Sequence, residues 1–128
     1  MNRLKLAALA GLMALASIAA TARATPPPPA AREIEQLIAA LGASGCEFQR
    51  NGRWHDAAQA QAHLRRKYTW LRKRDLVDSA EQFIEGAGSK SSVTGRAYLV
   101  RCPGRPAVTS GAWLRARLVQ IRRTMPSR

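Results

Sequence analysis

Residues Gly88 to Cys102 read GSKSSVTGRAYLVRC, and the predicted topology depends on this segment. Its first half is rich in serine and threonine and is flanked by glycines, which is typical of a loop. Its second half, residues 96–102, is predicted to be a β-strand that ends on a cysteine. The chain has one other cysteine, Cys46. We therefore expect the last strand to be linked covalently to the front half of the chain.

Residues 1–24 have the pattern of a Sec-type signal peptide. Arg3 and Lys5 precede an apolar run over residues 6–20, and the small residues that follow allow cleavage after Ala24. The run is too short and too rich in alanine for a comfortable membrane span. An uncleaved N-terminal anchor is the competing interpretation. The sequence therefore predicts a periplasmic or secreted protein, with no stable membrane insertion after cleavage.

Export places the two cysteines in an oxidising compartment, which favours a Cys46–Cys102 disulfide over two free thiols. Two cysteines and two histidines at unrelated spacings do not match a zinc site, so we predict no metal and no cofactor. We expect the first and last strands to pair antiparallel, with the cysteines opposite each other. This pairing sets Phe48 opposite Val100 and Arg50 opposite Tyr98.

The pattern of the chain predicts an α+β domain. Residues 46–50 and 53–55 flank Asn51-Gly52, a strong two-residue hairpin signal. Together with the strand that ends on Cys102, they form a small three-stranded antiparallel sheet. About four helices are expected to pack on one side of this sheet, and the first of them spans residues 31–41, where apolar residues recur with helical spacing.

Capping signals predict where the other three helices begin. Asp56 with Gln59, and Asp78 with Glu81, have the spacing of a capping box. Ser110 is the expected cap of the last helix. Each helix start therefore has a side chain that can accept a hydrogen bond from an otherwise unpaired backbone N–H group.

The domain organisation follows from length and composition. The prolines within residues 25–31 indicate a stiff polyproline II spacer. Residues 32–123 are predicted to form a single α+β domain, and residues 124–128 to form a frayed basic tail. A chain of this length suits one small domain, which gains stability from a disulfide.

The chain is strongly basic, with 21 basic and 8 acidic residues, and removal of the signal peptide leaves 18 basic residues against the same 8 acids. This excess favours anionic partners: a small anionic ligand, a glycan or a lipid headgroup. Nucleic acid is not expected as a partner after export. The alternative is purely compositional, because 17 of the 21 basic residues are arginine and the chain is rich in alanine, as expected from a GC-rich genome.

Four short motifs occur in order along the chain. They are Arg50-Asn51-Gly52, Ala60-x-x-His63-Leu64-x-x-Lys67, Ala80-Glu81-Gln82-Phe83-Ile84 and Ser89-x-Ser91-Ser92-x-Thr94-Gly95-x-x-Tyr98. In this order and spacing they resemble the YfeK-like family of small exported bacterial proteins, a domain of unknown function, over most of residues 32–122. The resemblance implies export and a shared fold, and it brings no known activity, cofactor or catalytic residue.

The polar residues of these motifs are the candidate site. His63 and Lys67 lie one helical turn apart on one flank of the second helix, where both can reach the same group. The hydroxyls and backbone N–H groups between Gly88 and Gly95 can surround an anion. The alternative is that these hydroxyls satisfy the loop's own backbone. The candidate ligand-binding residues are Arg50, Asn51, His63, Lys67, Ser89, Ser91, Ser92 and Thr94.

From these residues we predict an exported binding or envelope-accessory module that recognises an anionic group, and we favour a non-enzymatic role. One alternative is a small cell-envelope hydrolase that uses a loop serine as nucleophile and Lys67 or His63 as base. No spacing in the sequence selects one serine–base pair. A second alternative is an electrostatic binder of lipopolysaccharide or lipid surfaces, whose affinity would fall steeply with salt.

Overall fold

The structure is a computed structural model that describes residues 11–17 and 26–125. The predicted cleavage site after Ala24 and the last residues of the predicted basic tail lie outside the described residues. Residues 11–17 form neither helix nor strand. Within the described ranges, no helix is both long enough and apolar enough to cross a membrane.

The described residues form four α-helices, one π-helical turn and a four-stranded sheet. In chain order they are α1 (Pro28–Gly42), β1 (Glu47–Arg50), β2 (Arg53–His55), α2 (Ala57–Lys73), α3 (Ala80–Phe83), the π-turn (Ile84–Gly88), β3 (Leu99–Arg101), β4 (Val108–Thr109) and α4 (Ser110–Thr124). This is the predicted α+β class.

The sheet has four strands, in the order β2-β1-β3-β4, so the prediction of three strands is wrong. All three pairings are antiparallel. The additional strand β4 pairs through Thr109 with Leu99 and through Val108 with Val100. The sequence does not predict β4, because this strand is only two residues long and leads directly into α4. The strand predicted over 96–102 is also shorter, since β3 begins at Leu99.

The predicted register of the first and last long strands is confirmed where the ladder exists. Phe48 lies opposite Val100, and the ladder ends one pair later, before Arg50 would meet Tyr98. The disulfide between Cys46 and Cys102 closes the other end, with 4.2 Å between the two Cα atoms. Phe48 and Val100 are each 1% exposed, so this face of the sheet is covered.

The first helix begins earlier than predicted. α1 starts at Pro28, so residues 28–31 of the predicted spacer are helical. Proline is well tolerated in a first helical turn, because its φ angle is already helical and its missing N–H group would have had no partner there. Pro28 and Pro29 therefore lie in the first turn of α1, and Pro26 and Pro27 precede the helix.

The predicted cap of α2 is confirmed, and the other two predicted caps are each wrong by one residue. Asp56 and Gln59 form the expected capping box. Ser79, not Asp78, caps α3 by accepting a hydrogen bond from the Gln82 N–H group. The cap of α4 is Thr109, whose hydroxyl accepts from the Ala112 N–H group. Both misassigned positions neighbour a second good capping residue, so local preference could not decide between them.

The core lies between the helices and one face of the sheet. α1 packs against α2 and α4, α2 also contacts β1, and α4 contacts β3 and β4. The apolar residues of α1 that recur with helical spacing are buried as expected, and α2 buries Ala60, Leu64, Tyr68 and Leu71. The largest fully buried side chains are Tyr98, Phe48, Phe83, Ile34, Leu37, Ile38, Leu41, Leu64, Ile84, Leu114, Val77 and Val100.

We predict that removing the disulfide lowers the free energy of unfolding substantially. The bond closes a loop with a sequence separation of 56, for which chain entropy predicts a loss of about 4 kcal/mol. Urea unfolding of the Cys46→Ala, Cys102→Ala double variant, compared with the oxidised parent, measures this difference. Equal midpoints and equal slopes would contradict the prediction.

Replacing Ser110, in contrast, should not lower the free energy of unfolding. It is fully buried and, among the described residues, its hydroxyl has no hydrogen-bond partner. Ser110→Ala therefore removes a desolvated polar atom without losing a bond, and the unfolding free energy should stay constant or rise by up to about 1 kcal/mol. Ser79→Ala is the control, because loss of this cap should lower stability by about 1 kcal/mol. A clear loss of stability in Ser110→Ala would show that this hydroxyl is satisfied.

Candidate functional site

The candidate site is organised by one flank of α2. The Asp56 capping box fixes where the helix begins, and Leu64 and Tyr68 turn its apolar face into the core. His63 and Lys67 are one turn apart on the adjacent flank. Because α2 packs against β1, this flank faces the end of the β1–β3 ladder and the loop that precedes β3.

A hydrogen-bond network of Arg50, His63, Tyr98 and Lys67, called here the Tyr98 network, occupies that position. Arg50 Nη1 lies 3.0 Å from His63 Nδ1, and His63 Nε2 lies 3.2 Å from Tyr98 Oη. Lys67 Nζ donates to Tyr98 Oη at 3.2 Å and to the carbonyl oxygen of Lys90 at 3.1 Å. Two residues of α2 therefore meet at the phenol oxygen of Tyr98, and Arg50 of β1 joins the network through His63.

The direction of the hydrogen bonds fixes the state of His63. A guanidinium group can only donate, so Nδ1 of His63 accepts from Arg50 and the ring proton is on Nε2, which donates to Tyr98 Oη. The imidazole is therefore neutral. Burial and the nearby positive charges of Arg50, Lys67 and Arg66 lower the pKa of His63 to about 4, in agreement with this state.

The Tyr98 network has more hydrogen-bond donors than acceptors. When Lys67 is charged, Tyr98 Oη accepts two hydrogen bonds, and within the described residues its own proton has no acceptor. Burial raises the pKa of Tyr98, which keeps the phenol protonated. Burial and the charge of Arg50 lower the pKa of Lys67. The Arg50 guanidinium has further N–H groups beyond the one that it gives to His63. The site therefore lacks acceptors, and an anion would supply them.

No carboxylate neutralises this part of the protein. In the described part of the chain, no Asp or Glu oxygen lies within 4.0 Å of a charged nitrogen of Arg50, Arg66 or Lys67. All glutamates are paired elsewhere. The pairs are Glu35 with Arg65, Glu47 with Arg101, Glu85 with Arg115, and both Glu33 and Glu81 with Arg122.

The network opens onto a pocket of about 500 Å³, called here the cationic pocket. Its size is within the range of small-molecule sites. A second cavity of about 300 Å³ shares three of its residues, Arg50, His63 and Arg66, and extends toward His55. The cationic pocket is lined by Arg50, His63, Arg66, Lys67, Trp70, Leu71, Gly86 and Ser92.

The hydroxyl loop contributes less to this pocket than the sequence predicts. Ser89 donates to the carbonyl oxygen of Ile84, and the buried Ser91 hydroxyl accepts from the N–H groups of Val93 and Thr94. These two serines satisfy local backbone groups, as in the alternative interpretation. Of the predicted loop residues, Ser92 lines the pocket.

The hairpin tip is also directed away from the pocket. Asn51 Oδ1 accepts a hydrogen bond from the Thr94 hydroxyl at 2.8 Å, and this exposed contact joins the tip to the loop. The structure thus brings Arg50, His63, Lys67 and Ser92 to one pocket and places the other candidates outside its lining.

Sequence analysis did not select three residues that matter at the site. Tyr98 is part of the fourth motif, but its central position depends on how α2 packs on the sheet. Arg66 follows a helical pattern that is also typical of a solvent-exposed face. Trp70 shares the flank of His63 and Lys67 at i+7 and i+3 spacing, which is the one signal that could have identified it.

The geometry does not favour the alternative of a hydrolase. Within the described residues, no hydrogen bond joins Ser89, Ser91 or Ser92 to His63 or Lys67. A serine nucleophile needs a base within such reach. No group of three or more His, Cys, Asp or Glu side chains in this part of the chain is arranged to hold a metal ion.

Comparison with known proteins places the chain in a family. The model of DUF5329, a family of unknown function, matches residues 28–122, from the start of α1 almost to the end of α4. The chain belongs to this family. It is also 47% identical over 51 residues to uncharacterized protein YfeK of Salmonella typhimurium, which covers 40% of this chain and 41% of YfeK. The predicted resemblance is therefore confirmed. No solved structure matches the chain.

The neutral state of His63 predicts a pH-dependent stability. Its pKa is about 4 in the folded protein against 6.5 for an ordinary histidine, so the unfolded chain binds the proton first as the pH falls. The contribution to stability is complete above pH 6.5 and is lost progressively down to pH 4. We expect a loss of about 1–2 kcal/mol, because the His63 side chain is only partly buried and solvent screens part of the effect.

Urea unfolding of the parent and of His63→Gln at several pH values between 7.5 and 4.5 measures this contribution. The difference between the two proteins isolates His63 from the carboxylates, which titrate in both. The parent should lose more stability than the variant over this interval. Two parallel curves would contradict the assignment of a neutral, buried imidazole.

Proposed function

We propose that this protein is an exported, non-enzymatic binding module whose cationic pocket holds an anionic group, such as a carboxylate, phosphate or sulfate, of an envelope ligand. The observation that carries the proposal is a donor-rich network at a pocket without a carboxylate partner. Buried donors and like charges are costly to hold together without an acceptor. A bound anion offsets both costs.

Each residue of the site has a specific role in this proposal. Arg50 offers a planar guanidinium that can bind an oxyanion through two parallel hydrogen bonds. Lys67 adds a second charge, and its position is set by Tyr98 and the carbonyl of Lys90. His63 is a positioning residue, since both of its ring nitrogens are engaged. Ser92 adds a hydroxyl to the pocket lining.

Two further observations support the wider proposal of an exported protein. The disulfide is typical of proteins that fold in an oxidising compartment. The signal-peptide pattern of residues 1–24 gives the same expectation. A role in the cell envelope is consistent with both, since anionic glycans and lipid headgroups are abundant there.

The binding proposal predicts that Lys67→Gln weakens the affinity for inorganic phosphate, sulfate or acetate at least tenfold. A hydrogen bond to a charged group contributes about 1.5–3 kcal/mol, which corresponds to that change or more. Titration calorimetry of the mature oxidised protein measures the affinity. Lys73→Gln is the matched control, because it removes the same charge from an exposed position on the same helix.

Comparing the two variants also distinguishes a specific pocket from an electrostatic surface binder. A site-specific pocket loses affinity in Lys67→Gln and keeps it in Lys73→Gln. An electrostatic surface binder loses the same small amount in both variants, and this result would contradict the proposal. Covalent labelling of Ser92 by a serine-directed probe, lost in Ser92→Ala, would favour the hydrolase and would also contradict it.

A further inference from the structure

The wall of the cationic pocket beside Lys67 is apolar and contains an exposed aromatic ring. Trp70 is 51% exposed, although it is a large hydrophobic side chain, and it lines the pocket together with Leu71 and Gly86. Leu71 is buried and forms part of the same wall. An exposed tryptophan next to unpaired positive charges is not required by the core, so a ligand is the natural partner for its ring.

The orientation of this ring is fixed by Arg74. The Arg74 guanidinium lies 4.0 Å from the centre of the Trp70 ring, and its Nη1 donates to the Trp70 carbonyl oxygen at 3.2 Å. These contacts hold the guanidinium against the indole, as expected for a cation–π pair. The guanidinium lies over one face of the indole, and Trp70 but not Arg74 is part of the pocket lining.

Gly86 allows the neighbouring wall to pack closely. It belongs to the π-turn that follows α3, and a Cβ atom at this position would lie 3.3 Å from Leu71 Cδ1. The absence of a side chain therefore leaves room for Leu71 to pack against the π-turn. The π-turn thus places a bare backbone segment against the pocket, a feature that is frequent at functional sites.

We propose that the ligand carries its anionic group on a ring, and that a flat face of this ring stacks on Trp70 while the anion binds Arg50 and Lys67. This inference rests on the proposed function and adds the chemical class of the ligand. A pocket that is lined by three cationic side chains and an exposed indole is complementary to such a molecule. Acidic sugars and nucleotides both have this chemistry.

The test compares ring-bearing anions with the corresponding simple ones by titration calorimetry and by tryptophan fluorescence. Glucuronate is compared with acetate, and adenosine monophosphate is compared with inorganic phosphate. At least one ring-bearing anion should bind roughly tenfold more tightly than its simple counterpart, as is usual for stacking on an aromatic side chain. The pair that shows the gain identifies the ligand as a saccharide or a nucleotide.

Trp70→Ala should abolish this gain, so that a ring-bearing anion binds the variant no more tightly than its simple counterpart does. Trp54→Ala is the matched control, because Trp54 also packs under a guanidinium, that of Arg101 at 4.0 Å, and lies outside the pocket lining. Thermal unfolding of both variants verifies that they are folded.

Two failures are distinguishable. In the first, simple anions bind in a Lys67-dependent manner, but ring-bearing anions bind no more tightly or Trp70→Ala has no effect. This result would contradict the stacking of a ligand ring on Trp70 and would leave the proposed anion site intact. If no anion of either kind binds, both the ring and the anion site are overturned.

Discussion

The fold and the candidate site both depend on the antiparallel pairing of β1 with β3, which the disulfide closes at one end. Side chains alternate along a strand, so setting Phe48 opposite Val100 fixes which face of each strand is buried. Arg50 and Tyr98 are two residues further along, on that same face and just beyond the ladder. α2 packs on β1, and His63 therefore bridges Arg50 and Tyr98. A register shifted by one residue would turn Tyr98 to the opposite face and remove the centre of the network.

The acidic and basic residues of the described chain are distributed unevenly: ion pairs connect the elements of the fold, whereas the cations of the site lack carboxylate partners there. Every glutamate joins two elements of the fold, and Arg122 alone joins α4 to both α1 and α3 through Glu33 and Glu81. The positive charges around the cationic pocket have no such partners in the described residues. Burial and the charge of Arg50 lower the pKa of both His63 and Lys67, so a positive charge on either side chain is disfavoured here. Proteins keep such local conflicts mainly where they bind or react.

Much of the fold can be predicted from local patterns: the cap of α2, the tight hairpin and the register of the disulfide-linked strands. β4 cannot, because two residues carry no periodicity and their pairing depends on β3 already being in place. The site is predictable in part. Helical spacing places His63 and Lys67 on one flank, but only the geometry of the turn decides that Ser91 bonds its own backbone while Ser92 reaches the pocket. The distance from Tyr98 to the helix is set by how α2 packs on the sheet, which no single segment encodes.

The ion pair between Glu33 and Arg122 has a consequence for the layout of the chain. Glu33 lies in the second turn of α1 and Arg122 in the last turn of α4, with 2.7 Å between their charged groups. The two ends of the domain are therefore neighbours. Such an arrangement tolerates circular permutation and insertion into a host protein, because a short linker can join the original termini. The domain can also be attached to a surface or to a second domain at this one corner.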